Sequence, residues 1–131
     1  MKEQLISFEL AKLAKQKGFN EPTVFHYTES INPLLEVGIA FLKEDTYLPN
    51  VKNSWDAPTQ SLLQKWLREK HNIFVGVDFD KREDGKPGWA YYANWQFMDK
   101  RPGGWYDENA QHDNYEDSME IGLTEGLKLI P

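Results

Sequence analysis

Two runs of alternating apolar and polar residues, separated by a turn rich in glycine and proline, constrain the fold of this chain most. The first run covers residues 72–80 and the second covers residues 89–97, and in each run the large apolar side chains fall on one face. That face carries Ile73, Val75, Val77 and Phe79 in the first run, and Trp89, Tyr91, Ala93, Trp95 and Phe97 in the second. A period of two residues is typical of strands with one buried face. The intervening residues 81–88 contain Asp-Gly and Pro-Gly turn pairs. The pattern predicts a β-hairpin whose bulky face packs against helices.

Three other segments have the apolar spacing of amphipathic helices. The predicted helices cover residues 2–17, residues 58–70 with a cap at Asp56 or Ala57, and residues 114–130 with a cap at Asp113 or Asn114. The last helix carries Gly122 and Gly126 in its interior. Glycine costs a helix about 1 kcal/mol relative to alanine, so this pair predicts that another element approaches closely there.

The remaining segments complete a coarse element order. Residues 23–28 are rich in β-branched and aromatic side chains and predict a strand. Residues 29–56 contain scattered Pro, Gly and Asn residues, which interrupt regular structure. Within them, residues 39–42 fit either a short strand or one helical turn. Residues 98–112 are predicted to be a loop. We therefore expect a single α+β domain over residues 1–131, in the order α-β-α-β-β-α, with a small antiparallel sheet whose hairpin packs against two or three helices.

Composition and charge narrow the functional classes. The chain has 131 residues, of which 40% are hydrophobic and 14% aromatic, enough for one core without a metal or disulfide. The absence of cysteine excludes disulfides, thiolate nucleophiles and cysteine-bound zinc. The N-terminus resembles no signal peptide and the longest apolar run is four residues, so we expect a cytoplasmic protein without a membrane contact or cofactor.

The net charge of −6 is concentrated near the C-terminus. Residues 99–131 hold eight acids and three bases, whereas residues 1–98 hold thirteen acids and twelve bases. Negative charge repels a phosphate backbone, so general binding to duplex nucleic acid is disfavoured.

Three blocks of the sequence carry a family resemblance. They are residues 1–27, with Ile6-Ser7-Phe8-Glu9 and Gly18-Phe19-Asn20-Glu21-Pro22, residues 57–73 (APTQSLLQKWLREKHNI) and residues 115–130 (YEDSMEIGLTEGLKLI). Together they cover about half the chain and resemble a family of small proteins encoded by bacteriophages and prophages, including those of Bacteroidetes. The resemblance implies a phage-derived accessory protein working in the bacterial cytoplasm. It implies no activity and no catalytic residue.

Few residues form patterns with a recognisable chemistry. Asp78 and Asp80 share a face of the predicted first hairpin strand, and with His112 they could hold a hard cation such as Mg²⁺. Two carboxylates on a wet strand face are more often ordinary surface charges. His26 fits either a general base or a structural histidine with a hydrogen-bond partner.

The predicted loop offers a different kind of candidate. Arg101, Trp105 and Tyr106 surround two glycines, and these three residue types are enriched at the centres of protein interfaces. The alternative is that Trp105 folds back as a lid on the hairpin core, because large aromatic residues are buried on average.

These observations favour a non-enzymatic protein-interaction module that binds a host or phage protein through Arg101, Trp105 and Tyr106. One alternative is a small metal-dependent enzyme using Asp78, Asp80 and His112. Another is a nucleic-acid-associated protein or a nucleic-acid mimic. Nucleic-acid binding would need one basic patch built from the predicted second helix and the hairpin turn, namely Lys65, Arg68, Lys70, Lys81, Arg82 and Lys86.

Overall fold

A computed structural model describes residues 4–29, 40–44, 54–82, 85–99 and 105–131, and for residues 28–29, 40–44, 54 and 105–111 it describes the backbone alone. Within these ranges the chain forms three helices and six strands. They are α1 (Phe8–Gln16), β1 (Phe25–Glu29), β2 (Ala40–Glu44), β3 (Ser54–Asp56), α2 (Gln60–His71), β4 (Ile73–Lys81), β5 (Trp89–Phe97), β6 (Trp105–His112) and α3 (Tyr115–Lys128). The predicted α+β class is confirmed, with additional strands between the predicted elements. No helix in the described ranges is long and apolar enough to cross a membrane.

The chain divides into two compact units, Met1–Thr59 and Gln60–Pro131. The single domain expected over residues 1–131 stays a prediction. Each unit has its own antiparallel three-stranded sheet, in the order β2-β1-β3 in the first unit and β4-β5-β6 in the second.

In the first unit, α1 begins later than its apolar spacing predicts. Ser7 caps it, with the side-chain oxygen accepting a hydrogen bond from the Leu10 amide at 3.2 Å. Residues 5–6 are extended because the Ile6 amide donates to the Pro58 carbonyl at 3.0 Å and Leu5 pairs with Thr59. Since a backbone amide committed to a neighbouring strand is lost to a helix, the helix predicted from residue 2 is wrong over residues 4–7, and residues 2–3 lie outside the described residues.

The start of α2 is corrected for the same kind of reason. Asp56 lies in β3, where it pairs with His26 of β1, so neither Asp56 nor Ala57 caps the helix. The helix begins at Gln60, and its apolar side chains Leu63, Trp66 and Leu67 are buried.

In the second unit, α2 and α3 cover part of one face of the sheet, as the hairpin pattern predicts. Ile73, Val75 and Ala93 are buried on that face. The glycines of α3 explain how the helix comes so close. A Cβ on Gly122 would lie 2.8 Å from Val75 Cγ1, and one on Gly126 would lie 2.7 Å from Val75 Cγ2. The close approach predicted from this glycine pair is confirmed.

Residues 105–112 correct the prediction of a loop over residues 98–112. They form β6, which pairs with β5 in a register that runs Tyr91 to His112 and Tyr92 to Gln111, then shifts. Residues 40–42, for which the sequence allowed either a short strand or a helical turn, belong to the strand β2, and residue 39 lies outside the described residues.

A single residue, Asn72, connects α2 to β4. Its φ of 57° lies in the left-handed region, which asparagine tolerates better than most residues. Its carbonyl accepts a hydrogen bond from the Met98 amide at 2.8 Å, just past the end of β5. The link therefore turns the chain sharply and is tied to the neighbouring strand.

Candidate binding surface

The helix-covered face of the second sheet extends beyond the helix that covers it. Strand β4 pairs with β5 without interruption from Ile73 opposite Phe97 to Lys81 opposite Trp89. The helix α3 begins at Tyr115, and the Ser118 hydroxyl of its first turn donates to the Tyr91 carbonyl at 3.0 Å. The hairpin continues past this point, so its last aromatic residues extend beyond the start of α3.

Four aromatic rings occupy this uncovered end, and we call Phe79, Trp89, Tyr91 and Tyr115 the aromatic ledge. The Phe79 and Trp89 rings stack with centroids 5.6 Å apart, and the Phe79 and Tyr91 centroids lie 4.8 Å apart. Tyr115 meets Tyr91 edge to face at 6.1 Å. Phe79 is 56% exposed, Trp89 54% and Tyr115 43%. Each ring therefore contacts another ring of the ledge, while Phe79, Trp89 and Tyr115 remain about half exposed to solvent.

The backbone beneath the ledge is held in place by buried polar contacts. Tyr92 is fully buried, and its hydroxyl donates to the Lys81 carbonyl at 2.8 Å. The Arg82 amide donates to the Gly88 carbonyl at 3.0 Å and closes the base of the turn. Gly88 has a φ of 108°, which a residue with a side chain rarely adopts. The ledge is consequently presented by hydrogen-bonded strands, which hold a binding group more accurately than loops do.

The helix end of the ledge is acidic, whereas the turn end carries charges of both signs. At the helix end, Asp113, Glu116 and Asp117 lie within two residues of Tyr115 and are exposed. At the turn end, Lys81 and Lys86 are exposed. Glu116 and Asp117 also suit the positive end of the α3 dipole.

One ion pair joins these two ends. An Arg82 guanidinium nitrogen lies 2.7 Å from an Asp113 carboxylate oxygen, with the Arg82 side chain 17% exposed and that of Asp113 85% exposed. The cation is thus largely covered while its carboxylate partner stays open to solvent.

The residues predicted to bind a partner are described only in part. Arg101 lies outside the described residues. Trp105 and Tyr106 belong to β6, where their backbones pair with Trp95 and Asn94, and their side chains lie outside the described part. Their partner-binding role stays a prediction.

The structure does not bring Asp78, Asp80 and His112 together. The carboxylate of Asp78 accepts a hydrogen bond from the side-chain nitrogen Nδ2 of Asn94 at 2.9 Å, and that of Asp80 accepts one from the Lys81 backbone amide at 2.7 Å. His112 pairs with Tyr91, and alternation along the strands puts it on the ledge face, opposite the two carboxylates. Among the described residues no group of three His, Cys, Asp or Glu is placed to hold a metal ion. His112 Nε2 is buried and has no hydrogen-bond partner within the described part of the chain.

Two of the basic residues named for nucleic-acid binding lie near opposite ends of β4. Lys70 is near the end of α2, next to the start of β4, whereas Lys81 ends β4. The eight steps from Ile73 to Lys81 span about 27 Å. Lys70 and Lys81 are therefore not neighbours, and the nucleic-acid alternative stays a prediction.

In the first unit, the structure places a carboxylate, that of Asp56, next to His26. His26 is buried on the central strand β1, directly opposite the half-buried Asp56 of β3. Burial raises the pKa of Asp56 above its usual range, and the charges of His26 and Lys15 oppose this shift only in part. A carboxylate neighbour suits a structural histidine as well as a general base.

Sequence reasoning missed the ledge because it assigned the whole alternating face to the core. Phe79 and Trp89 have the spacing and hydrophobicity of buried residues, and alternation alone does not tell where a covering helix ends. The signal that could have located the ledge is the helix cap. Asn114 fixes the start of α3, and the hairpin residues beyond that point have no cover from this helix.

Comparison with known proteins adds no relative to this description. No family model, characterised protein or solved structure matches the chain. The resemblance to phage and prophage proteins accordingly stays a hypothesis.

Proposed function

We propose that this chain is a non-enzymatic protein-interaction module and that the aromatic ledge is its binding surface. The observation that carries the proposal is the exposure of Phe79, Trp89 and Tyr115 on a sheet end whose backbone is hydrogen-bonded. Single exposed apolar residues are ordinary on protein surfaces, but a contiguous cluster of large rings marks an interaction site.

The energetics of aromatic rings support this use of the surface. A ring buries a large area when a partner covers it and loses few rotatable bonds in doing so. The ring contacts within the ledge restrict these side chains before any partner arrives. Less conformational entropy is then lost on binding, which favours affinity.

The biological setting of the proposal comes from the family resemblance. A phage or prophage accessory protein would meet its partner, a host or phage protein, in the bacterial cytoplasm. Arg101, Trp105 and Tyr106 remain a second proposed contact surface, and the experiment below separates it from the ledge.

The proposal is tested by capture from a bacterial lysate with a matched pair of variants, followed by quantitative mass spectrometry. Trp89→Ser removes a ring from the ledge. Met98→Ser removes a side chain that is 50% exposed at the opposite end of the hairpin. We expect a set of proteins that the wild type and Met98→Ser retain and that Trp89→Ser loses. Phe79→Ser, at the neighbouring ring, should lose the same set.

Three comparisons complete the test. Melting temperatures of all variants confirm that a lost partner does not reflect unfolding. If Trp89→Ser and Phe79→Ser retain every protein that the wild type retains, the ledge is not the binding surface. If the double variant Trp105→Ala/Tyr106→Ala alone loses the set, the surface lies at the start of β6.

A further inference from the structure

The ledge combines two features that favour a positively charged ligand, and the first is its rings. The face of an aromatic ring carries partial negative charge and attracts an ammonium or guanidinium group within about 6 Å of its centroid. Tryptophan and tyrosine are the stronger acceptors of this kind. Trp89 and Tyr115 are both exposed, and Phe79 lies stacked beside Trp89.

The second feature is the charge next to the rings. Glu116 follows Tyr115 directly in the first turn of α3 and is exposed. Asp113 is 85% exposed although it already pairs with Arg82. Asp117, by contrast, is engaged in the helix cap, because the Asn114 side chain donates to its carboxylate at 2.8 Å. Glu116 and Asp113 are thus the carboxylates that remain open to an incoming cation.

The chain already contains one guanidinium–carboxylate contact beside the ledge. The Arg82 guanidinium extends from the turn end of the hairpin to Asp113 at 2.7 Å. A guanidinium is therefore compatible with the space and charge beside the ledge. Arginine also suits such a place chemically, because its planar group stacks on rings and donates to carboxylates at the same time.

We infer that the aromatic ledge binds an arginine- or lysine-rich segment of a protein partner, with cationic side chains over the rings of Trp89 and Tyr115 and near the carboxylates of Asp113 and Glu116. This inference rests on the proposed function and specifies the chemistry of the partner. The net charge of −6 adds a longer-range attraction for a basic segment.

Stacking of single-stranded nucleic acid on the same rings is the principal rival. Exposed rings on a sheet can stack bases, and Lys81 and Lys86 lie at the turn end. The carboxylates at the helix end oppose it, because a backbone that follows the ledge from Lys81 to Tyr115 would pass Asp113 and Glu116. Charge therefore favours the basic peptide.

The test uses three labelled probes of equal length in fluorescence anisotropy titrations with the full chain. The probes are a peptide of alternating arginine and serine, the same peptide with glutamate in place of arginine, and oligothymidylate. We expect the arginine peptide to bind, with an affinity that falls as salt is raised. The glutamate peptide and the oligothymidylate should not bind measurably.

Two matched pairs of variants locate the binding. Trp89→Leu keeps the residue apolar but removes the ring, so it should weaken binding of the arginine peptide by about two- to fivefold. Trp89→Tyr keeps an aromatic ring and should bind the peptide more tightly than Trp89→Leu does. Glu116→Gln should also weaken binding. Glu125→Gln makes the same change in net charge about 14 Å further along α3 and should have a smaller effect.

Several outcomes would overturn the inference. An unchanged affinity in Trp89→Leu would show that the rings do not contact the peptide. Equal effects of Glu116→Gln and Glu125→Gln would reduce the binding to general attraction by negative charge. Oligothymidylate binding that Trp89→Leu weakens would assign the ledge to nucleic acid instead. Capture of lysate proteins that depends on Trp89, without binding of the arginine peptide, would leave the proposed function standing and refute this inference alone.

Discussion

Gly126 of α3 lies against Val75 of β4 so closely that a Cβ atom on the glycine would come within 2.7 Å of Val75 Cγ2. Val75 is fully buried, and as a β-branched residue it has little freedom to rotate away. The missing side chain of Gly126 is therefore what allows the helix to pack at this distance from the sheet.

We predict that Gly126→Ala lowers the free energy of unfolding by up to about 2 kcal/mol. Overpacking a core costs about 1–3 kcal/mol, and the gain from placing alanine in a helix offsets about 1 kcal/mol of that cost. Urea denaturation measures the change. In the double variant with Val75→Ala the clash is relieved, so the loss should be smaller than the sum of the two single losses by more than about 0.5 kcal/mol. A more stable Gly126→Ala would contradict this account of the interface.

The hydroxyl of Tyr92 gives a second prediction. It donates to the Lys81 carbonyl from a fully buried ring, so Tyr92→Phe removes that donor and leaves the ring in place. We expect a loss of about 0.5–1.5 kcal/mol in the free energy of unfolding, the usual net value of such a hydrogen bond. Tyr115→Phe is the control, because a change on an exposed ring should stay within about 0.5 kcal/mol. Equal effects of the two substitutions would show that the Lys81 contact contributes nothing to stability.

The cap of α3 gives a third prediction. The Asn114 side-chain oxygen accepts a hydrogen bond from the Asp117 amide at 2.8 Å. Asn114→Ala should lower the free energy of unfolding by about 1 kcal/mol, whereas Asn114→Gly should cost only a few tenths, since glycine suits the cap position better than alanine does. Thermal denaturation of the two variants measures the difference. A glycine variant less stable than the alanine variant would argue against capping as the role of Asn114.

The raised pKa of Asp56 gives a fourth prediction, about pH. A folded pKa above the unfolded value of about 3.9 means that the folded state binds the proton more tightly. The free energy of unfolding must then fall as the pH rises from the unfolded pKa through the folded one, and this contribution is constant above it. Asp56→Asn removes the burial of a charge, so it should become more stable relative to the wild type as the pH rises through that window.

Denaturation of Asp56→Asn and of the wild type between about pH 3 and about pH 6 measures the difference in their free energies of unfolding. Histidine is mostly protonated over this range. This range matters because His26 lies opposite Asp56 on the neighbouring strand. A difference between variant and wild type that stays constant over the series would show that burial of the carboxylate is not its cause.

The elements that could be predicted are those whose pattern of apolar and polar residues lies within one short stretch of sequence. The alternation through Val75 and Ala93 gave the hairpin and its covered face, and the glycine spacing in α3 gave the close helix packing. The strands β3 and β6 were not found, because pairing with a distant strand defines them. Ser54–Asp56 is three residues long, too short for a period of two to show. Trp105–His112 has no alternation of apolar and polar residues, and its register against β5 shifts.

The proposed binding surface has the residue types of the predicted one but lies at other positions in the sequence. Aromatic side chains beside charge are the signal on which Arg101, Trp105 and Tyr106 remain a prediction. Phe79 and Trp89 gave no such signal, because their spacing matches that of Ile73 and Val75, which are buried. Whether such a residue is covered depends on where α3 starts in space relative to the end of the hairpin.

The one-residue connection at Asn72 has a consequence for how this gene can change in length. The end of α2 sets which face of β4 turns toward the helices, because no spare residue lies between them. One inserted residue would reverse the alternation, turning Asp78 and Asp80 toward the helix side and Val75 away from it. Insertions and deletions should therefore be strongly selected against at this junction. Paired changes that lengthen both hairpin strands equally would keep the same side chains facing the helices.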